Sequence, residues 1–584
     1  MINDHNRILS ELKTYYSNLY QSNNNRPTNC YNEFITDNVP KLTNNERDIC
    51  EGRITLNEAY KTLCGMTIGK TPGNDGIPVE FYLHFWPKVG HFVVNSSNYG
   101  YDHGILSTSQ RQSIIKLIDK KGKDKQLIKN WRPISLINVD AKIRSRCIAK
   151  RMEKILPNII HCTQSAFVQG RDISDCIRMI DEIMSLTDEQ NLPGILLAID
   201  FQKAFDSLEW DYLYQCLHVF NFGPSLIQWI KAYYNNIESS VIDYGYTTGY
   251  FKLGRGVRQG DPLSPALFII ALETLLIAIR CNSHIHGFKI GSEQVKSIAF
   301  ADDLTCPLAD ENSVTILFNL LERFHNVSGL KNNKEKTEVI WLGKWKKRKN
   351  KLFDINWPTE PIKIVGIYVS YDKGWAAKLN YNKPLEKLET TLNFWRQRDL
   401  TILGKIQVVK SLAVSKFVFL MRMTSVPKGI LKEINKKIFN FIWNGTDKVA
   451  RNTLMSDIQY GGLKAPDIVT SYNLLRISWI QRYLDTSVKH PWKEFLQNRL
   501  KRVGGNLLFN CNFDTSLLPV KLGDFYLEAL SVWTNFRNLN ENSTMNGILW
   551  NNKNITVDGK SVSSRIFMTR VSATLQIFWK ITCI

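Results

Sequence analysis

Apolar and polar positions along the chain fall into three regimes. Residues 1 to about 60 are polar and rich in Asn, with the tract Ser22-Asn23-Asn24-Asn25 and only patches of helical spacing such as Ile8 to Leu19. That pattern predicts an N-terminal extension or linker over 1–60. From about Tyr60 to Leu342, short apolar runs broken by Gly/Pro turns mix with helical periodicity, which predicts an α+β unit over 61–343. The basic run Lys344 to Lys351 comes next and reads as a solvated junction loop in preference to a localisation signal. Beyond Leu379 the spacing is mostly helical, with amphipathic stretches at Leu403–Phe419 and Ile430–Trp443. A largely helical region over 344–450 and a partial C-terminal region over 451–584 are expected. No internal repeat is visible, and Ser561–Ile584 carries no closing turn or cap, as though the chain stops inside a longer domain.

Two segments carry acidic residues in a telling place. In GILLAIDFQKAFDSLEW (Gly194 to Trp210), Ile195–Ile199 is a continuous apolar run, as in a strand buried on both faces. Asp200 then falls at the strand's C-terminal edge. In SIAFADDLTCPL (Ser297 to Leu308), apolar residues run up to Asp302-Asp303 and resume at Leu304, the pattern of a tight hairpin tipped with carboxylates. Asp is also an ordinary turn residue, so either segment alone says little. Together they offer the hard oxygen donors needed by two divalent ions, about 3.5–4 Å apart, in phosphoryl transfer. Between them lies GRGVRQGDPLSPALFIIALETL (Gly254 to Leu275). Ser264 is expected to cap a helix with Pro265 in its first turn. Gly254, Gly256 and Gly260 would free the preceding loop of side-chain bulk, so that its backbone approaches a base pair closely.

Charge narrows the field. The chain has 75 Lys and Arg against 54 Asp and Glu, a net charge of +21, which favours a polyanionic partner and nucleic acid before an acidic membrane surface. The start, MINDHNRILSELKTYY, is no secretory signal, and the longest apolar run, Pro265–Ile279, is interrupted by Glu273 and too short to span a bilayer. Eleven cysteines without a CxxC read as reduced thiols. A soluble, intracellular protein is expected, cytoplasmic or nuclear, without a membrane partner. His284 and His286 alternate around Ile285 on what would be one strand face, but no third ligand accompanies them; His5/Cys30 and His161/Cys162 lack ligand spacing as well. All are read as structural.

At AIDFQKAFDS, FADD and RQGDPLSP the sequence resembles the reverse transcriptases of non-LTR retrotransposons, those similar to long interspersed elements. KTPGNDGIPVEFY, NWRPISLINVDAKI and TQSAFVQGRDI upstream extend the likeness, as do GLKNNKEKTEVIWLG, IKIVGIYVSYD, WRQRDLTILGKIQVVKS, FIWNG and GGLKAPDI downstream, all in order over about Leu63 to Leu475. The resemblance implies a right-hand polymerase: fingers and a ferredoxin-like palm over 61–343, then a primer grip and helical thumb over 344–450. It implies RNA-directed DNA synthesis from a primer 3′-hydroxyl with deoxynucleoside triphosphates on an RNA template, with two Mg2+ ions, or Mn2+ in their place. Asp200 and Asp302 would each ligate both ions, helped by a main-chain carbonyl near Ile199 or Phe201, with Asp303 beside them. Lys336 would protonate leaving pyrophosphate. Arg132, with Lys120 as companion, would bind the triphosphate, Phe205 would wall the sugar's 2′ side, and Gln259 and Gly260 would line the nascent pair and template.

The family's endonuclease and its Cys/His-rich C-terminus are not recognised in the sequence, so a truncated copy is expected. Two alternatives compete. A group II intron maturase shares the palm chemistry, but the strings from Trp395 to Ser411 and from Gly461 to Ile468 argue against it. A catalytically silent nucleic-acid-binding remnant is countered by the survival of Asp200, Asp302 and Asp303.

Overall fold

The computed structural model describes residues 4–22, 31, 33–290, 293–351, 353, 355–358, 361–510, 514–540, 556–557 and 560–561. Its strands are β1 (Gln112–Asp119), β2 (Trp131–Ile137), β3 (Pro193–Ile199), β4 (Glu238–Asp243), β5 (Ile298–Phe300), β6 (Asp303–Leu308), β7 (Glu338–Gly343), β8 (Ile362–Ile364) and β9 (Ile367–Val369), besides short pairs. β1 pairs antiparallel with β2 and parallel with β4, at the centre of a five-stranded sheet.

The second sheet is four-stranded and antiparallel, in the order β7-β3-β6-β5. Its chain path is strand, helices, strand, strand, helix, strand. The long helix Ser264–Cys281 precedes β5, and helix Glu311–Ser328 joins β6 to β7. The strand period of two explains how this sheet divides the molecule. Ile195, Leu197 and Ile199 of β3 and Val339 and Trp341 of β7 enter one hydrophobic core, whereas Leu196, Ile340 and Leu342 enter another. The apolar run before Asp200 is indeed buried on both faces.

Helix Ser264–Cys281 is apolar all round because it lies inside the first core. Among the described residues it is the one helix long and apolar enough to cross a membrane, and 78 % of its apolar window is buried within the fold. Its interrupting charge, Glu273, pairs with Arg280 and accepts from the His161 backbone N–H at 3.2 Å. The expected Ser264 cap is not formed, and no side chain caps this helix. The helix begins at Ser264 itself, and the Asp261 carboxylate takes the Leu263 N–H at 3.0 Å.

Residues read as an extension pack into the same core as the sheet. Helix His5–Leu19 buries Leu12 and Tyr16, and Phe34, Val39, Leu42 and Ile54 are buried beside them. A second correction concerns His284 and His286, which lie in the turn after the long helix and before the short strand Phe288–Ile290, not on a strand face. His286 pairs with Asp310 at 2.7 Å.

The β8–β9 hairpin turns through Val365 at φ 49° and Gly366 at φ 85°, the left-handed pair that a tight two-residue loop requires. Helices Lys373–Arg396, Ile402–Val408, Ser415–Met423, Lys428–Trp443, Ile468–Leu484, Pro491–Leu500 and Asp524–Asn540 follow. The amphipathic stretch expected at Leu403–Phe419 is one continuous run with a π-helical segment, Val409–Val414, in its middle. The second core runs without a break across position 450: Ile434 and Ile438 share it with Ile480, Trp492 and Ala529.

Candidate active site

Asp200 follows the last residue of β3, where the sheet gives way to a clasp from the segment after helix Glu311–Ser328. Gln202 N–H donates to Lys331 O at 2.8 Å, and Asn333 N–H donates to Asp200 O at 2.7 Å. The Asn333 side chain donates to Asp200 Oδ2 at 3.1 Å, and Lys336 Nζ lies 3.4 Å from the same oxygen. The half-buried carboxylate is thus aimed by an amide and faced by an exposed ammonium.

The β5–β6 hairpin brings the other two carboxylates. Its register places Leu304 against Ile199, and one step further sets Asp303 opposite Asp200. The turn bends through Ala301 at φ 55°, a strained conformation for a residue with a Cβ. Gln164 holds that turn from behind: Ala301 N–H donates to its Oε1 at 3.1 Å, and its Nε2 donates to Ala301 O at 3.4 Å. TQSAF therefore braces the hairpin, a role that its sequence does not betray.

Burial raises the Asp303 carboxyl to about 6, and the charges of Asp302 and Asp200 push the same way. Burial and Asp200 also raise Asp302, against the opposing pull of Arg132. Three crowded carboxylates of one sign, offering hard oxygens, are a donor set that fits Mg2+ or Mn2+.

Cations face them from the first sheet. Arg132 pairs across β1–β2 with Ile118, and Lys120 N–H donates to Asn130 O at 3.0 Å. Burial lowers the Lys120 ammonium, and Lys336, Lys203 and Arg132 lower it further. Those four cations therefore share one electrostatic neighbourhood. Lys203 went unrecognised in the sequence; it sits at φ 47°, with its Nζ 4.3 Å above the Tyr15 ring.

The loop before the long helix forms another wall. Gln259 O accepts from Ser135 N–H at 2.8 Å, and Gln259 Nε2 donates to both Asp206 oxygens at 3.2 Å. Tyr20 Oη donates to Asp206 Oδ1 at 2.9 Å. Asp206 was also missed: it stands in the quoted AFDS string, but only the fold reveals that it is buried and bridges the N-terminal helix to Gln259. Phe205 is half-buried, with one face stacked on Phe268 at 4.6 Å between centroids. Each of the three loop glycines lies close against protein backbone. A Cβ on Gly256 would meet Asp206 O at 2.7 Å, one on Gly260 would meet Ser135 O at 2.9 Å, and one on Gly254 would meet Ser22 N at 3.1 Å.

A family described as reverse transcriptase (RNA-dependent DNA polymerase) matches residues 118–369, the span that holds all three carboxylates, Lys120, Arg132 and Lys336. This span is a reverse transcriptase domain. Outside it, the likeness continues along most of the chain. A 149 kDa protein of the transposon TX1 of Xenopus laevis is 27 % identical over 93 % of this chain and 42 % of its own length. A Pol polyprotein from the R2 element of Popillia japonica is 29 % identical over 38 % of this chain and 31 % of its own. The RNA-directed DNA polymerase from the mobile element jockey of Drosophila melanogaster is 23 % identical over 46 % and 29 % respectively. All three relatives are proteins of mobile elements, and this chain spans less than half of their length.

One cluster lies apart from this site. His161, Cys162 and Glu293 bring donor atoms within 4.8 Å of one another. The pair read as structural thus has a third donor that spacing along the chain hides. Burial drives His161 down to about 3, with Arg280 and Arg171 adding to the effect. Arg280 and Arg171 place positive charge beside the cluster.

Proposed function

We propose that this chain is an RNA-directed DNA polymerase that extends a primer 3′-hydroxyl with deoxynucleoside triphosphates on an RNA template, as in retrotransposition. One observation carries the reading: Asp200, Asp302 and Asp303 converge at one edge of the second sheet, with Lys336 3.4 Å from Asp200 and the Lys120/Arg132 hairpin turned toward them. The strand order β7-β3-β6-β5 supports a ferredoxin-like palm, the first sheet supports fingers, and the β8–β9 hairpin with the helices after it supports a primer grip and thumb.

In this reading Asp200 and Asp302 hold two divalent ions, and Asp303 adds charge beside them. When bound, the ions acidify the primer hydroxyl and neutralise the triphosphate. The protein's own groups do the rest. Asn333 fixes the Asp200 carboxylate so that it presents its free lone pairs to the cleft. Arg132 offers a planar fork to phosphate oxygens, and Lys120 adds a point charge. Lys336 stands at hydrogen-bonding range of the site and delivers a proton to the departing pyrophosphate. The exposed part of Phe205 borders the sugar, and Gln259, held through its Nε2, presents its Oε1.

The test is primer extension on an annealed RNA template with Mg2+. Asp200→Asn or Asp302→Asn should each lower the rate by several orders of magnitude, since a lost ligand uncouples the two-ion clamp. Near-normal extension by Asp200→Asn would sink this reading. Silence of the parent chain as well would favour the inactive nucleic-acid-binding remnant.

A further inference from the structure

The basic run Lys344–Lys351 takes no part in the proposed reaction. It leaves β7 at the end of the sheet remote from the carboxylates, because Gly343 pairs with Pro193 at the start of β3 whereas Asp200 follows its end. At about 3.3 Å per residue, this puts the run about 20 Å from Asp200 along the sheet.

Its cations differ in their engagement. Lys346 pairs with Asp188, and Arg348 pairs with Glu311 at 2.5 Å. Lys344, Lys347, Lys349 and Lys351 are exposed and make no ion pair among the described residues. Aromatic rings lie directly beneath. The Arg348 guanidinium is 4.0 Å from the Trp345 ring centroid and 5.2 Å from that of Trp341, which in turn packs on Trp357 at 4.6 Å. Lys346–Lys351 of the run, with Trp341, Trp357 and Pro358, line an open cavity of about 350 Å3.

The run is folded over Lys344–Arg348. Lys344 N–H donates to Leu192 O at 2.9 Å, Trp345 N–H to Leu342 O at 3.0 Å, Lys346 N–H to Gly343 O at 3.1 Å, and Arg348 N–H to Trp345 O at 2.8 Å. A partner that reads a basic peptide as an extended strand would first have to break these bonds. A partner that brings its own phosphates need not.

We propose that this surface holds single-stranded RNA, with phosphates on Lys344, Lys347, Lys349 and Lys351 and an unpaired base against the Trp345–Arg348 stack. Basic side chains beside an aromatic platform are the physical requirement for holding a single strand: charge tracks the backbone, and a ring accepts any base that is not already paired. The proposal rests on the reading of the chain as an RNA-copying polymerase, whose template is unpaired wherever it extends beyond the primer duplex. The distance from Asp200 places this contact outside the catalytic cleft.

The test uses the full chain with Lys347, Lys349 and Lys351 replaced by Ala, beside a control of equal net charge in which the exposed Lys61, Lys88 and Lys154 are replaced. Equilibrium binding is measured on two primer–templates, one nearly blunt and one with a long single-stranded RNA extension, over a series of salt concentrations. The loop variant should bind the extended substrate about tenfold more weakly than the parent. Its slope of log affinity against log salt should be smaller by about 2, the release expected for three phosphate contacts on a single strand. Binding and extension on the nearly blunt substrate should match the parent, and the control should match it on both. An extension of DNA in place of RNA should show the same loss only if the surface reads phosphate and base without the 2′-hydroxyl. Equal loss on both substrates, equal loss in the control, or no loss at all would each overturn the proposal. Because binding is read without turnover, an inactive parent that still shows the loss would undo the polymerase reading and leave this surface standing.

Discussion

At the scale of single residues, Asp206 illustrates how a buried charge is put to use. Its carboxylate accepts from Tyr20 Oη and from Gln259 Nε2, so the Gln259 amide is held in one orientation. Asp206→Asn places an amide donor against an amide donor. It should raise KM for the deoxynucleotide about tenfold with a smaller effect on kcat, since hydrogen bonds to charged groups are worth roughly 1.5–3 kcal/mol. Steady-state kinetics at varied nucleotide concentration separate the two. Burial also lifts the Asp206 carboxyl to about 6. The folded protein therefore holds a proton there that the unfolded chain, with a carboxyl near roughly 3.9, has released. This group's contribution to stability should fall as pH rises from about 4 to about 6 and stay level above that. Denaturant melts across that window should show the decline in the parent and lose that component in Asp206→Asn. Phe205 makes a different case, because Phe268 covers one of its faces and only the remainder borders the proposed sugar site. Phe205→Val should admit ribonucleotides while largely sparing deoxynucleotide incorporation. Unchanged discrimination in single-nucleotide insertion assays would return the ring to a purely structural role.

At the scale of elements, the loop before helix Ser264–Cys281 shows why glycine spacing was legible and its reason was not. Gly256 lies at φ 86°, and its α-carbon faces the Asp206 carbonyl oxygen, at 2.7 Å from the position a Cβ would take. Gly256 N–H also donates to Leu208 O, and the next residue, Val257, donates to Phe205 O, both at 2.7 Å. The loop is zipped to the segment that carries Phe205 and Asp206. Gly256→Ala should cost about 1–3 kcal/mol for the backbone conformation alone, and the clash adds to it. A thermal melt reads that cost, and the loosened Gln259 should appear as a higher KM. The helical region has its own irregularity: helix Ile402–Val408 passes through the π-helical Val409–Val414 before resuming at Ser415. Amphipathic spacing finds such a run but not the extra residue within it, because one added residue shifts the apolar stripe by less than the breadth of a buried face.

At the scale of the whole molecule, two cores are separated by one sheet, and β3 feeds both. The described residues among the first sixty are part of that arrangement: Gly254 N–H donates to Tyr20 O at 2.8 Å, and Arg255 Nε donates to Leu19 O at 2.9 Å. The net charge of +21 also belongs to this scale. Affinity for a primer–template should fall steeply with salt, on the order of a thousandfold between 50 and 200 mM, with little preference among duplex sequences. Titrations at several salt concentrations check it, and a flat response would assign the charge to another partner.

The sequence by itself determined the burial of the run Ile195–Ile199 on both faces, the strand end at Asp200, the hairpin at Asp302-Asp303 and the order of the motifs around them. Each of these is a local pattern, written by a continuous apolar run and by turn chemistry within a few residues. Only the tertiary structure decided what meets across long stretches of chain. Tyr20 reaches Asp206 over a separation of 186 residues, Lys336 reaches Asp200 over 136, and Gln164 grips Ala301 over 137. It also began the helix at Ser264 without a side-chain cap, and turned an expected extension or linker into part of a core. Such contacts depend on how elements stack, and stacking is settled by which apolar faces are left to cover one another. Periodicity within a single segment carries no record of that choice.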